Sequence, residues 1–359
     1  PDDLNLVAEL AQAHLRLGRA DKVLEMTRGL TDAQARAQPA LLELRGKAQL
    51  VSGDSAAAAS SFEKLTRLVP NAAPAQFHYA NVLASRGDTT RARQALARAL
   101  KLNPRYLPAR VGEIKMHVQA RELDQARKAL AKLRQDFGDH PEVLGIEGWY
   151  ALGSNDYATA EQKLSAALKK TPGSELLALT ARAQWAQKKQ DLALKTMREW
   201  LKSHPNDVPI HVQLAEAYMS LGKESEAMEE YERIIKLVPS HVLALNNLAW
   251  LNRDSNPNQS MSYAQQAYQL EPKSPIVLDT LGMLTLKSGD VSRATNLLRD
   301  AAARAPADTQ IQLHLATALV QQKRISEARK ILDAILKTSS DSPAAKEAQV
   351  LLNSLNGNR

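Results

Sequence analysis

The chain has 359 residues, with 47 Lys/Arg against 39 Asp/Glu and a net charge of +8. Aromatics make up only 4% while apolar residues reach 44% and lean on Ala and Leu, which disfavours sandwiches and barrels and favours helices. Cysteine is absent, which excludes disulfides, thiolate metal sites and thiol nucleophiles, and no apolar run approaches a membrane span.

Length alone allows two or three domains or one extended array. The chain opens Pro1-Asp2-Asp3 without an initiator Met or a signal-like stretch. It therefore reads as the interior of a longer protein, with any targeting segment outside this sequence.

Prolines at 70, 104, 172, 205, 239, 272 and 306 each close an Ala/Leu-rich stretch, at steps of 33 or 34 residues or twice 34. Gly138 stands in the middle slot of the long step, and Ser340 falls one period beyond Pro306. Twelve residues before each closing slot stands a small residue, from Ala58 to Ala328, and twenty-four before it another, such as Gly46, Ala80, Gly148 and Gly282. Small residues there allow two helix backbones to approach closely. Large residues eight before the slot, among them Phe62, Leu164 and Leu298, fill the space between. Gly53, Gly87, Gly222 and Gly289 stand where the first helix of a pair must end. The proline then stops the second helix.

The units run 5–38, 39–72, 73–106, 107–140, 141–173, 174–207, 208–241, 242–274, 275–308 and 309–342. The array is expected over 1–342, and an amphipathic helix from Ala344 to Leu355 would cap it, leaving 343–359 as cap and tail. Two units depart from the pattern. Ile114 occupies a small slot in the fourth, and the turn Arg253-Asp254-Ser255-Asn256-Pro257-Asn258 in the eighth is one residue short. That turn is either a kink or a loop variant.

A 34-residue helix–turn–helix period with this grammar is that of the tetratricopeptide repeat (TPR), which implies an all-α TPR solenoid, a right-handed superhelix of about ten repeats. A narrower resemblance rests on Ala244-Leu245-Asn246-Asn247-Leu248-Ala249-Trp250-Leu251, then Leu278-Asp279-Thr280-Leu281-Gly282 and His314-Leu315-Ala316-Thr317-Ala318-Leu319. Arg198-Glu199-Trp200-Leu201 leads into His204-Pro205-Asn206-Asp207 upstream, and Ala348-Gln349-Val350-Leu351-Leu352 closes the chain. This phrasing resembles the TPR-repeat lipoproteins of the PEP-CTERM/exosortase system of bacterial exopolysaccharide loci. The resemblance implies an exported scaffold, periplasmic and lipid-anchored through a cysteine outside this chain.

With the closing proline at position 32, position 9 of each unit projects into the groove of such a solenoid. It reads Lys47, Asn81, Lys115, Trp149, Arg182, Glu216, Trp250, Met283 and Thr317. The tryptophans can stack on sugar rings or anchor a peptide side chain, or they can bury an edge between neighbouring first helices. Trp185, at position 12, is read the same two ways, whereas Trp200 on a second helix reads as core. Asn246 and Asn247, one turn before Trp250, can hold the main chain of an extended peptide or bond a neighbouring repeat. The Lys/Asn/Arg clamp of chaperone-tail TPR domains is not found.

Residues 51–200 hold 23 Lys/Arg against 15 Asp/Glu, so the whole net charge belongs to them. A basic groove would draw in an acidic polysaccharide, an acidic tail or anionic lipid, or the cations merely solubilise the array. No nucleic-acid motif accompanies them. The acidic helix Lys223 to Lys236 reads as a solvated face. The eight histidines show no metal-ligand spacing, no phosphate-binding loop occurs, and Ser61-Phe62-Glu63-Lys64 matches S-x-x-K only by chance. Neither an enzyme nor a cofactor is expected. The expected partners are proteins of an envelope polysaccharide assembly, with an acidic polysaccharide as a second ligand and the membrane reached only through the outside anchor. The competing reading is a cytosolic adaptor for an extended peptide, centred on Asn246, Asn247 and Trp250.

Overall fold

The computed structural model describes residues 3–338 and 342–357; Ser340, one period beyond Pro306, lies outside them. All 22 elements in the described residues are α-helices. By its contacts the chain divides into two compact units, Pro1–Ala183 and Gln184–Arg359.

The first unit begins irregularly, with three helices where a pair is expected: α1 (Leu4–Arg16), α2 (Ala20–Met26) and α3 (Asp32–Ala37). Pairs come after it: α4 (Pro39–Val51) with α5 (Ser55–Leu68), and α6 (Ala73–Ser85) with α7 (Thr89–Leu102). Next are α8 (Leu107–Gln119) with α9 (Leu123–Phe137), and α10 (Pro141–Gly153) with α11 (Tyr157–Lys170). Helix α12 (Ser174–Ala186) runs through the division of the chain.

In the second unit, α13 (Gln190–Ser203) precedes the pairs α14 (Val208–Ser220) with α15 (Glu224–Leu237) and α16 (Val242–Leu251) with α17 (Pro257–Leu270). Two more pairs complete the array, α18 (Pro275–Lys287) with α19 (Val291–Arg304) and α20 (Thr309–Gln321) with α21 (Ile325–Thr338). The last helix, α22 (Pro343–Gly357), extends the expected cap by one residue at its start and two at its end. It buries Ala344, Ala345 and Ala348 in the cluster that holds Leu315, Leu319 and Leu332, and its Leu355 carbonyl accepts from Arg329 at 2.7 Å.

The small-and-large grammar is a direct steric contact. A Cβ on Gly46 would stand 2.7 Å from the Phe62 ring, one on Gly148 2.5 Å from Leu164 Cγ, and one on Gly282 2.7 Å from Leu298 Cγ. The fourth repeat solves the same problem in reverse. Ile114 fills the small slot and is fully buried, Leu130 in the large slot is left half-buried, and Leu133 one turn on takes its place in the core.

Every first helix but one ends on a residue in the left-handed region at the slot held by the turn glycines. Gly53, Gly87, Gly222 and Gly289 do so, and in the other repeats Arg121, Asn155, Lys188 and Lys323 take the same conformation at φ near 61°. The residue after it often caps the second helix. The carboxylates of Asp54, Asp88, Asp156 and Asp290 accept from the backbone N–H three residues on, at 2.9–3.2 Å.

The short turn of the eighth repeat is the exception. There α16 stops at Leu251, the Asn252 side chain donates to Leu248 O at 2.9 Å, and Asn256 caps α17 by accepting from Gln259 N at 3.2 Å. Lys287 donates to Arg253 O at 2.8 Å across the turn. Helices α16 and α17 remain a packed pair, with Ser260 Oγ donating to Ala249 O at 2.6 Å, so the turn is a loop variant.

Two substitutions should move stability in opposite directions. Gly148→Ala should lower it by about 1–3 kcal/mol, because the added methyl meets Leu164 and the neighbouring backbone. Arg121→Gly should raise it by about 0.5–1 kcal/mol, because glycine has no Cβ to crowd the left-handed conformation. Urea midpoints of the two variants against the parent chain measure both.

Candidate functional site

The first-helix face of the array is built from residues spaced i, i+3, i+4 and i+7, which on a helix share one side. In the first unit three such rows enclose a hollow of about 370 Å³ between α8, α10 and α12. Trp149, Ile146 and Gly145 line it from α10, Val111 and Lys115 from α8, and Leu176 and Leu179 from α12. Glu142 and Glu175 stand at the same end of their helices and bring negative charge to the rim. Trp149 is half-buried, with part of its ring against the core formed by Ile114, Leu133, Val143 and Ile146.

The second unit has a larger hollow of about 710 Å³, bounded by α16, α18, α20 and the capping helix α22. Trp250, Met283 and Thr317, the position-9 residues of three consecutive repeats, all line it, together with Leu313, His314 and Val350, which is 70% exposed. Trp250 is half-buried and sandwiched. The Arg253 guanidinium lies 4.4 Å from its ring centroid, and the His314 ring stacks at 6.3 Å with planes 28° apart. His314 is fixed in turn by Asp279, whose carboxylate oxygens lie 2.8 and 2.9 Å from Nδ1.

The remaining expected site residues separate. Lys115 and Arg182 are exposed, Trp185 is half-buried, and Asn81 is exposed and lines neither hollow. Lys47 is not a free groove cation, since its ammonium lies 2.5 Å from Glu43. Asn246 is 7% exposed, and its Oδ1 has no hydrogen-bond partner among the described residues. Asn247 shares a hydrogen bond with the phenol of Tyr231, a group pushed up chiefly by burial, so its amide is engaged by the preceding repeat. Trp200, expected in the core, instead ties down a turn: Nε1 donates to Asp207 Oδ2 at 2.7 Å and the exposed His204 ring stacks on it at 3.8 Å.

The expectation of a basic groove is corrected by where the charge stands. Helices α5, α7, α9 and α11, the second helices of the first unit, carry 13 Lys/Arg against four Asp/Glu. The first helices α6, α8, α10 and α12 carry three against four. Second helices hold the basic excess because their outer faces must stay solvated, whereas the first-helix face takes apolar and aromatic residues. The acidic helix α15 also departs from a purely solvated face. Its Glu230 is buried, 2.5 Å from His211 Nδ1, while His211 Nε2 lies 2.9 Å from Pro205 O.

Residues that sequence reasoning passed over are those four and seven positions before position 9. Gly145 and Glu142 accompany Trp149 in this way, and Leu313 and Gln310 accompany Thr317. The helical period carried that signal. Arg253 and the α22 residues Lys346, Glu347 and Val350 had none, because they depend on a turn and on how the cap docks. Among the described residues no group of three or more His, Asp or Glu is placed to hold a metal ion. No helix there is long and apolar enough to cross a membrane.

Glu43 shows the electrostatics of this face most clearly. Its carboxylate is held down to about 2, first by the hydrogen bond from His78, 3.2 Å away, and further by Lys47, against burial, which acts the other way. A depressed carboxylate contributes stability above its unfolded value of 4.5 and loses it as pH falls through the folded one. Glu43→Gln should therefore cost about 1–2 kcal/mol at neutral pH after screening, and the gap to the parent should narrow from about pH 4.5 downward. Denaturant midpoints of both proteins across pH 3–7 read this out.

Three family models, each described as tetratricopeptide repeat, match the chain, one at 83–149 and 285–352, one at 43–106 and 146–208, and one at 208–251. The TPR repeat-containing protein PA4667 of Pseudomonas aeruginosa is 26% identical over 247 residues, 67% of this chain and 35% of that protein. Cellulose synthase operon protein C of Komagataeibacter sucrofermentans is 24% identical over 293 residues, and that of Komagataeibacter xylinus 25% over 303. Each of these two matches covers 81% of this chain and 18% of the relative. The chain thus spans about a third or less of the length of the curated relatives it matches. A tetratricopeptide repeat protein from Parabacteroides merdae shares the fold, at TM-score 0.51 and 19% identity over 58% of this chain and 84% of that one. With its helix pairs, its 34-residue grammar and these matches, the chain is an all-α solenoid built of tetratricopeptide repeats.

Proposed function

We propose that the chain is a non-catalytic interaction scaffold in bacterial exopolysaccharide assembly, gripping partner proteins of that assembly through the two hollows of its first-helix face. One observation carries the reading: each unit sets a half-buried tryptophan, Trp149 or Trp250, in the wall of a hollow, with one part of the ring fixed and the other open. Fixed aromatic side chains of this kind make anchors for a partner at little entropic cost. The polysaccharide setting draws on the cellulose synthase operon proteins, which align with 81% of this chain. It also draws on the likeness of residues 190 onward to the PEP-CTERM/exosortase lipoproteins. In this reading the protein works in the periplasm, held to the membrane by an anchor beyond this sequence.

A second reading, a cytosolic adaptor for an extended peptide, has one observation in its favour. Asn246 Oδ1 lies buried one helical turn from Trp250 with no hydrogen-bond partner among the described residues, and a peptide N–H would satisfy it once the side chain turns outward. The readings part on compartment and on residues. A lipid-modified N-terminal cysteine on the full-length protein, detected by mass spectrometry of membrane fractions, supports the envelope scaffold, and an unprocessed cytosolic start defeats it.

In the native host, Trp149→Ala with Trp250→Ala should abolish polymer secretion while the protein accumulates at its normal level. Undiminished polymer would set the scaffold reading aside. Loss on Asn246→Ala alone, with both tryptophan variants active, would favour the peptide adaptor.

A further inference from the structure

The fourth repeat opens a second kind of hollow, on the other side of α8 from the one that holds Trp149. Between α7 and α9, with α8 at its base, lies a space of about 410 Å³ lined by Arg110, Glu113, His117, Gln125, Lys128 and Lys132. Arg110 is only 6% exposed and is aimed by three acceptors: Pro104 O at 3.2 Å, Asp136 at 3.6 Å and Glu113 at 3.8 Å. Lys128 and Lys132 line it from α9, and Arg98 and Lys101 are further exposed cations of α7 outside its lining. All four are exposed and pair with no carboxylate among the described residues, and α7 itself carries no acidic residue. A guanidinium fixed at the bottom of a recess and flanked by free ammonium groups attracts an anionic group and tells it where to sit.

We propose that this second-helix face of the first unit binds an acidic polysaccharide, seating a carboxylate-bearing sugar in the recess between Arg110, Lys128 and Lys132. The proposal rests on the polysaccharide-assembly reading and names the polymer's chemistry and the face that meets it. The lining selects among anions. Glu113 puts a carboxylate among the cations that accepts from a sugar hydroxyl, and Gln125 and His117 add further hydroxyl partners, which an acidic polypeptide without hydroxyls does not use. Single-stranded nucleic acid calls on exposed aromatic rings for base stacking, and an inserting membrane surface on apolar or aromatic side chains beside the cations. The one aromatic on α7 and α9 is Phe137, half-buried with the Arg105 guanidinium 5.6 Å from its ring. The exposed leucines, Leu102 and Leu123, sit singly at helix ends and form no insertion patch.

The test is titration of this chain by calorimetry or biolayer interferometry against four probes: polygalacturonate, neutral dextran, poly-glutamate, and phosphatidylglycerol vesicles. Polygalacturonate should bind at least tenfold more tightly than the other three, and the affinity should fall as NaCl is raised from 50 to 300 mM. The variant Arg98→Gln/Lys101→Gln/Lys128→Gln/Lys132→Gln, all at exposed positions, should lose at least tenfold, with an unchanged circular dichroism spectrum. Lys115→Gln/Arg182→Gln, on the first-helix face, should bind as the parent does. Equal binding of poly-glutamate, preference for vesicles, or parental affinity in the quadruple variant would each overturn the proposal. Polygalacturonate binding lost in Trp149→Ala and retained in the quadruple variant would overturn it too, while leaving the first-helix reading standing. Failure of that reading shows instead as normal polymer secretion in the tryptophan variants.

Discussion

The array depends on one recurring contact, a first-helix backbone laid directly against a large side chain of the second helix. Gly46 on Phe62, Gly148 on Leu164 and Gly282 on Leu298 leave no room for even a methyl group. Interiors packed to this density set the register of both helices at once. The contact fixes which side of each first helix faces inward and therefore which residues are released to the other side. Trp149 comes directly after Gly148 and is turned about 100° from it around α10, so the residue that packs and the residue that is offered are neighbours in sequence.

In the fourth repeat the contact is altered, and the packing around it shifts. Ile114 occupies the space that glycine or alanine leaves elsewhere, Leu130 is pushed to half-burial, and Leu133 fills the core in its stead. The hollow that opens beside this repeat between α7 and α9 is lined by polar and charged side chains of α8, and Arg110 is satisfied there by Pro104 O and Asp136. The same slot, four residues before Ile114, is used alike in other repeats. His211 reaches Pro205 O at 2.9 Å and Gln312 reaches Pro306 O at 3.5 Å, so in α8, α14 and α20 a donor at this place ties the first helix to the proline that closed the preceding repeat.

Much of the fold was legible in the sequence because the period repeats. The slot rules gave the helix pairs from residue 39 to 338 and the cap, since each rule was read many times over. They gave nothing for 5–38, where Gln12 and Leu24 stand in the two small slots and three helices replace a pair. The left-handed residues Arg121, Lys188 and Lys323 were invisible for a different reason. Their conformation is imposed by the turn and not by their own preference, so only the glycines at that slot announced it. Position 9 found Trp149, Trp250, Met283 and Thr317 in their hollows, yet Lys47 at that position and Asn247, one turn before Trp250, are engaged elsewhere. Their partners, Glu43 and Tyr231, are set by one helical turn and by the packing of a neighbouring helix.

Charge was the feature most easily misread, because a count along the chain does not say on which side of a two-layer array the charge stands. Resolved by helix, the excess of residues 51–200 belongs to the second helices, while the first-helix face is close to neutral. A helix with its side chains is about 10–12 Å across. Charges on the outer surfaces of a helix pair are thus separated by roughly 20 Å, more than two screening lengths at physiological salt, about 8 Å each. Cations on α7 and α9 therefore add little to the potential over Trp149, and a partner on the first-helix face meets an apolar, mildly acidic surface whatever occupies the other side. Two faces of unlike chemistry, decoupled by screening, allow one array to hold a protein by aromatic anchors and a polyanion by charge without either displacing the other.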